Sequence, residues 1–319
     1  MKNKRSSIVV IGGGTGIFAV LSGLKKYSVN LSAIVSMADD GGSTKILREE
    51  FGILPPGSVR PALIALSNSE KLVADLFNYR FSQGSLEGHN LGNLLIAALA
   101  EMSGSFEKAI IQAGHLLNIK GEVLPSTLDN ARLAAKLEDG EIIKGETNID
   151  IPRHNGSLKI KKIWLNPPCL ANPRVLQSIL KANIIVIGPG DLFSSIIPNL
   201  LVKGVPETIK KSKAKKVFIC NLMTKFGETT NFDGFDFVQT LENYLGENVL
   251  DFIIFNNKKP LPERIKKYEK ERATFVEYRK ADFKNKRFKI IKGNFLRPEG
   301  LIRHNSDKLA KLILRLLRD

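Results

Sequence analysis

Short, nearly unbroken apolar runs recur at residues 8–11, 31–37, 184–187, 216–220, 251–255 and 288–291, with amphipathic segments between them. Such runs, rich in Val, Ile and Phe, predict strands covered on both faces. Their alternation with helical segments predicts an α/β fold: a doubly wound, mostly parallel sheet with helices on both faces. Two regions break this rhythm. Residues 58–103 read as consecutive helices, and 91–99 is apolar nearly all round, which predicts a buried helix. Residues 121–165 turn strand-like. There Asp139-Gly140 lies between apolar residues 133–137 and 142–143, a hairpin signal, and 159–164 alternates Lys with Ile and Trp. This stretch predicts a small inserted antiparallel β subdomain. Near the end, Leu309, Leu312, Ile313, Leu316 and Leu317 fall at helical spacing, as in a packing helix. The 319 residues are expected to form a single domain carrying these two insertions.

Composition narrows the class. No apolar run reaches the length of a membrane span, and the basic N-terminus lacks the apolar core of a signal peptide. Cys169 and Cys220 are the only cysteines, so a reducing, cytoplasmic setting is expected. The net charge of +16 raises the question of nucleic acid. Residues 258–292 hold 14 Lys/Arg, including Lys280 and Lys284, against 5 Asp/Glu, a net of +9. Tyr268, Phe275, Tyr278, Phe283 and Phe288 are interleaved there and could stack bases. The simpler expectation is a solvated helical face whose aromatics point into the core. It is preferred because no sequence-reading motif accompanies the charge.

The candidate chemistry lies where strands end. The first strand runs into Gly12-Gly13-Gly14-Thr15-Gly16 and then a helix. Backbone N–H groups at such a turn suit a phosphate, although the spacing departs from G-x-G-x-x-G. Later strands run into Asp39-Asp40-Gly41-Gly42-Ser43, Gly188-Pro189-Gly190-Asp191 followed by Ser194, and Asn221-Leu222-Met223-Thr224. In an open α/β sheet these loops converge on the carboxyl edge, where ligands bind. Gly188, Pro189 and Gly190 are expected to cradle a second phosphate. Asp39 or Asp40 would accept from a ribose hydroxyl or hold Mg²⁺. The competing role is a helix N-cap for the next helix by Asp40 or Ser43. Asn199 and Asn221 are amides able to read a base or a sugar, or else to close turns. His89 is either a general base or a contact residue at a helix start. There is no zinc or Walker A motif.

Eight motifs in order complete the reading: Gly12-Gly13-Gly14-Thr15-Gly16, Ala38-Asp39-Asp40-Gly41-Gly42-Ser43, Pro55-Pro56-Gly57, Gly88-His89-Asn90-Leu91-Gly92-Asn93, Gly121-Glu122-Val123-Leu124-Pro125, Ile187-Gly188-Pro189-Gly190, Ile197-Pro198-Asn199-Leu200-Leu201-Val202 and Cys220-Asn221-Leu222-Met223-Thr224. Together they resemble the gluconeogenesis factor family, the YvcK-like branch of a superfamily that includes 2-phospho-L-lactate transferase. The resemblance implies a Rossmann-like core that binds a UDP-sugar, such as UDP-N-acetylglucosamine, or a related nucleotide diphosphate. It implies a regulator or sensor needed for cell shape and wall synthesis during gluconeogenic growth, acting as a homo-oligomer (dimer) with cell-wall synthesis proteins as partners. The alternative it offers is an Mg²⁺-dependent transferase of a phospholactyl-type group. It adds His89, Asn93 and Arg303 to the expected ligand contacts. Ser58, Asp191 and Asn305 stand where the family usually has Asp, Ser and Asp. A carboxylate at Asp191, beside a phosphate cradle, is expected either to be bridged by a cation or to turn away and cap the following helix.

Overall fold

The computed structural model describes residues 5–14, 16–279, 283 and 286–318. Thr15, Lys280 and Lys284 therefore lie outside the described residues.

Seven strands form one sheet: β1 (Ser7–Gly12), β2 (Asn30–Val35), β3 (Glu122–Pro125), β7 (Ile184–Ile187), β8 (Lys215–Ile219), β9 (Phe252–Asn256) and β10 (Lys289–Gly293). Their spatial order is β10-β9-β8-β7-β1-β2-β3. Every neighbouring pair is parallel. The chain winds outward from β1 through β2 to β3, then returns to the other side of β1 and winds outward again from β7. The switch point lies between β1 and β7, where Ile8 pairs with Ile184 and Ile11 with Ile187.

The unbroken apolar runs have a direct explanation. Successive side chains of a strand point to opposite faces. Val9 and Ile11 of β1 join one core layer with Ile185 and Ile187 of β7, while Ile8 and Val10 join the other with Ile184 and Val186. All of these are 0–1% exposed. Helices Gly16–Leu24, Pro56–Leu66, Phe106–Leu116 and Ser306–Arg318 supply one layer. Helices Pro173–Lys181, Val205–Lys211 and Gly234–Leu245 supply the other, together with a small second sheet.

That second sheet is antiparallel, in the order β5-β4-β6: β4 (Arg132–Leu137), β5 (Ile142–Lys144) and β6 (Ile160–Asn166). The Asp139-Gly140 hairpin joins β4 to β5 as its sequence requires. Its predicted start at residue 121 moves, because β3 pairs with β2 and belongs to the main sheet. The helix Leu91–Ser103 is less enclosed than its composition suggests. Gly92, Ile96, Ala97 and Ala100 are buried, but Ala98 faces water and Met102 is 82% exposed. The basic segment, among its described residues, forms an α-helix over Pro262–Glu269, shorter than the helical face expected. Its aromatics do turn inward: Phe283 and Phe288 are buried, and Phe283 packs on Phe255 and Tyr278. Among the described residues no helix is long and apolar enough to cross a membrane.

Candidate functional site

A cleft of about 760 Å³ opens above the switch point. Its floor is the glycine turn after β1 and the loop after β7. Gly188 N–H donates to the carbonyl of Ile11 (2.8 Å), which locks the two loops together. Gly16 shows why a side chain is excluded: a Cβ there would lie 2.2 Å from the Pro189 carbonyl oxygen. The helix N-terminus is thus pressed against Gly188-Pro189-Gly190. Gly14 has a left-handed φ of +53° and faces open space, with nothing within 4 Å of an added Cβ. Only glycine holds that conformation without strain while leaving room for a guest.

Gly13, Gly14, Gly16, Pro189, Gly190, Asp191, Asn221, Thr224 and Arg303 line the cleft, as the sequence predicts. Other candidates stand behind it. Asn199 is fully buried, and its amide nitrogen donates to the carbonyls of Gly12 (3.2 Å), Ser195 (2.9 Å) and Ile196 (3.3 Å). It fixes the glycine turn from below and does not line the cleft. Asn221 lines the cleft, but its Oδ1 accepts from Gly190 N–H (3.1 Å). That donor, assigned from sequence to a phosphate, is already engaged.

Next to the Gly188–Gly190 loop stands an ion cluster absent from the sequence candidates, Asp191 and Ser194 apart. Lys225 Nζ contacts a carboxylate oxygen of Asp150, Asp191 Oδ2 (3.1 Å) and Glu228 Oε1 (3.7 Å). The three carboxylates each place an oxygen within 4.8 Å of the others. Glu228 is buried and accepts from Phe193 N–H (3.0 Å), Ser194 N–H (3.1 Å) and Ser194 Oγ–H (2.8 Å). Ser194 is thereby an anchor of the cluster. Burial and the Asp191 charge push the Glu228 carboxyl upward, against the pull of Lys225. Burial opposes the charge on Lys225, yet the carboxylates outweigh it and hold the ammonium above its ordinary value. Asp191 makes no cap to the helix that follows; its side chain turns to Lys225. An internal cation therefore meets the charge that the sequence leaves to an ion or a cap. Beside the cluster, burial and then the charges of Asp39 and Asp150 raise Glu146 to about 9. Lys225 and Glu228 follow β8, so the strand-end rule that finds Asn221 could have reached them. Glu146 and Asp150 come from the inserted β region, and nothing in their spacing announces them.

Asp39 and Asp40 part company. Asp40 reaches away from its own helix and caps another: its oxygens accept from Glu146 N–H (3.2 Å) and Thr147 N–H (2.9 Å). The helix Gly42–Phe51 has Gly41 at its N-cap and no side-chain cap, so neither Asp40 nor Ser43 serves there. Asp39 accepts from Gly41 N–H (3.0 Å), and burial raises its carboxyl above the usual range. With Asp40 spent on backbone donors and a serine at position 58, this pair does not fit a shared Mg²⁺. Arg48, buried, braces the loop by donating to the Asp39 carbonyl (2.7 Å) and the Ala131 carbonyl (3.0 Å). His89 Nδ1 meets Ser43 Oγ at 3.2 Å, and Asn93 Oδ1 accepts from Arg60 Nε–H (3.0 Å). Asp39, Asp40, Gly41, Gly42, Ser43, His89 and Asn93 thus surround a neighbouring loop and are absent from the cleft lining.

The far wall combines Leu222, Met223, Phe226, Tyr268 and Ile302 with His304. His304 donates a ring N–H to the Cys220 carbonyl, and burial lowers its pKa to about 4. It is neutral at physiological pH.

The chain and its fold have known relatives. A family model described as 2-phospho-L-lactate transferase CofD matches residues 8–296. The chain belongs to the CofD family. Within that family it is 47% identical over 319 residues to a Thermotoga maritima protein that carries the gluconeogenesis factor name provisionally, covering 98% of this chain and 99% of that one. The gluconeogenesis factor of Bacillus subtilis is 40% identical over 320 residues, covering 99% and 98%. A crystal structure of a UPF0052 family member from Bacillus halodurans superposes with a TM-score of 0.93 at 40% identity, covering 98% of this chain and 99% of that chain. The CofD-family fold is therefore shared along nearly the whole length.

Proposed function

We propose that the chain is a binding factor for a nucleotide diphosphate sugar, with UDP-N-acetylglucosamine the first ligand to test. The observation that carries this reading is the open backbone at Gly14, beside Gly13 and at the mouth of a helix N-terminus, at the switch point of a parallel sheet. A diphosphate at that turn leaves the apolar wall of Leu222, Phe226 and Tyr268 and the neutral His304 within the same cleft for the rest of the ligand. A cleft of this size that joins apolar surface to convergent polar groups suits a ligand of that class. A regulatory role in cell shape and wall synthesis during gluconeogenic growth, through a homodimer and wall-synthesis partners, belongs to the same proposal. The gluconeogenic part of it is supported by the relatives that bear the gluconeogenesis factor name. Transfer chemistry is the less favoured reading, because the Asp39–Asp40 loop offers no shared ion site. Calorimetry of the full chain against UDP-sugars, UDP, GDP and NAD, with and without Mg²⁺, tests the proposal. Micromolar binding of a UDP-sugar supports it, whereas binding of NAD alone overturns it.

A further inference from the structure

The cleft lining combines two chemically contrasting surfaces. On one, Gly13 and Gly14 present backbone next to a helix N-terminus, an environment for anions. On the other stand Asp150, Asp191 and Glu228, three carboxylates shared by one ammonium. The two adjoin, since Asp191 follows Gly190, where an added Cβ would lie 3.8 Å from the Gly13 carbonyl oxygen. That excess of negative charge repels a phosphate. It is well suited to hydroxyl groups, since an ionised carboxylate has only acceptor sites and a hydroxyl can donate to it. Lys225 supplies the matching donor.

Exposure sorts the members of this cluster. Glu228 has 0% side-chain exposure and spends its oxygens on Phe193, Ser194 and Lys225. Asp150 and Lys225 are 28% exposed and Asp191 is 40% exposed, all three lining the cleft. The buried carboxylate is the anchor, and the exposed pair with their ammonium form the working surface. Phe226, the residue after Lys225, also lines the cleft, and Arg272 lies over its ring at 4.8 Å. The wall therefore joins carboxylate acceptors and an ammonium donor, the combination that the hydroxyls of a polyhydroxylated ring need, beside the apolar edge of an aromatic ring whose face is taken by Arg272.

We propose that Asp150, Asp191 and Lys225 form the subsite for the hydroxyl-rich, sugar end of the ligand, with the phosphates directed to Gly13–Gly14. This rests on the nucleotide-sugar reading above and adds the ligand's orientation and the residues that set its selectivity. It also gives Lys225 a function: as a fixed counter-cation it makes the wall usable without a divalent ion.

The test compares UDP with UDP-N-acetylglucosamine by calorimetry on the full-length wild type, Asp150→Asn and Asp191→Asn, in buffer containing a chelator. Asp191 is partly exposed, so its variant is expected to fold; melting curves check both. The wild type is expected to prefer the nucleotide sugar over UDP. Each variant is expected to lose tenfold or more of that preference. Equal losses for UDP and the nucleotide sugar would overturn the subsite, because the residues would then act on the shared nucleotide part. The wild type is also titrated in Mg²⁺: a preference for the nucleotide sugar that appears only with Mg²⁺, while UDP binds in both buffers, would overturn the subsite, because a metal ion would then make the sugar contacts. A wild type that binds neither compound with or without Mg²⁺ would instead bring down the nucleotide-sugar reading, and the subsite with it.

Discussion

Replacing Lys225 by Met is the most incisive perturbation of the ion cluster. Methionine keeps an unbranched stem and removes the ammonium, leaving Asp150, Asp191 and Glu228 with oxygens within 4.8 Å of one another. Breaking a fully buried ion pair by removing one partner costs about 3–5 kcal/mol. Here Asp191 and Asp150 reach water while Glu228 does not, with side-chain exposures of 40%, 28% and 0%. Solvent screens part of the repulsion, so a loss of about 2–3 kcal/mol is expected. In thermal terms that is a fall of roughly 4–8 °C, using the scaling for larger domains. Urea denaturation followed by circular dichroism at pH 7 gives the difference directly. Adding Asp191→Asn to Lys225→Met should recover about 1 kcal/mol, as a double-mutant cycle of contacting groups allows. A Lys225→Met protein as stable as wild type at pH 7, or one whose deficit is insensitive to the second substitution, would refute the picture of an ammonium neutralising the carboxylate cluster.

Other outcomes follow from the same coordinates. Gly14→Val should abolish nucleotide-sugar binding while the melting temperature falls by only a few degrees. Gly16→Ala, whose Cβ would meet the Pro189 carbonyl oxygen at 2.2 Å, should instead be markedly destabilised; paired calorimetry and thermal melts separate the two. Asp40→Ala should lose about 1 kcal/mol by uncapping the helix Glu146–Asp150. It should also weaken ligand binding, since that helix carries Asp150 into the cleft. His304, depressed to about 4, binds fewer protons folded than unfolded. Its contribution, about 3 kcal/mol when complete, is present above pH 6.5 and fades as pH falls toward 4; His304→Gln should remove that acid dependence in urea titrations. Glu146 acts in the opposite sense. Raised to about 9, it binds more protons folded, so its contribution to stability declines as pH rises from about 4.5 toward 9. Glu146→Gln should flatten that decline, and an unchanged alkaline slope would remove Glu146 as its source.

The sheet was legible in the sequence because a parallel strand buried on both faces must be apolar at successive positions. Val9 and Ile11 face one layer, Ile8 and Val10 the other, and no polar residue can interrupt either. The glycine turn was legible for a similar local reason. A positive φ at Gly14 and a 2.2 Å approach at Gly16 exclude side chains whatever lies elsewhere in the chain. β3 was read into the inserted β region and not the main sheet because Glu122–Pro125 is a short edge strand whose partner, β2, lies some ninety residues earlier. The site was only half legible. Strand-end loops placed Gly13, Gly190, Asp191, Asn221 and Thr224 at one cleft, because sheet topology alone brings those ends together. Partnerships were not legible, because they depend on which groups meet across long sequence separations. Asp40 looked like the cap of its own helix and caps one 106 residues away. Asn199 looked like a reader of ligand and is bonded to Gly12, 187 residues away. Asp191 looked unpaired until β8 brought Lys225 beside it. Local backbone constraints and two-sided burial leave their mark residue by residue, whereas the charge balance of the cleft is set only when four distant loops share one low-dielectric space.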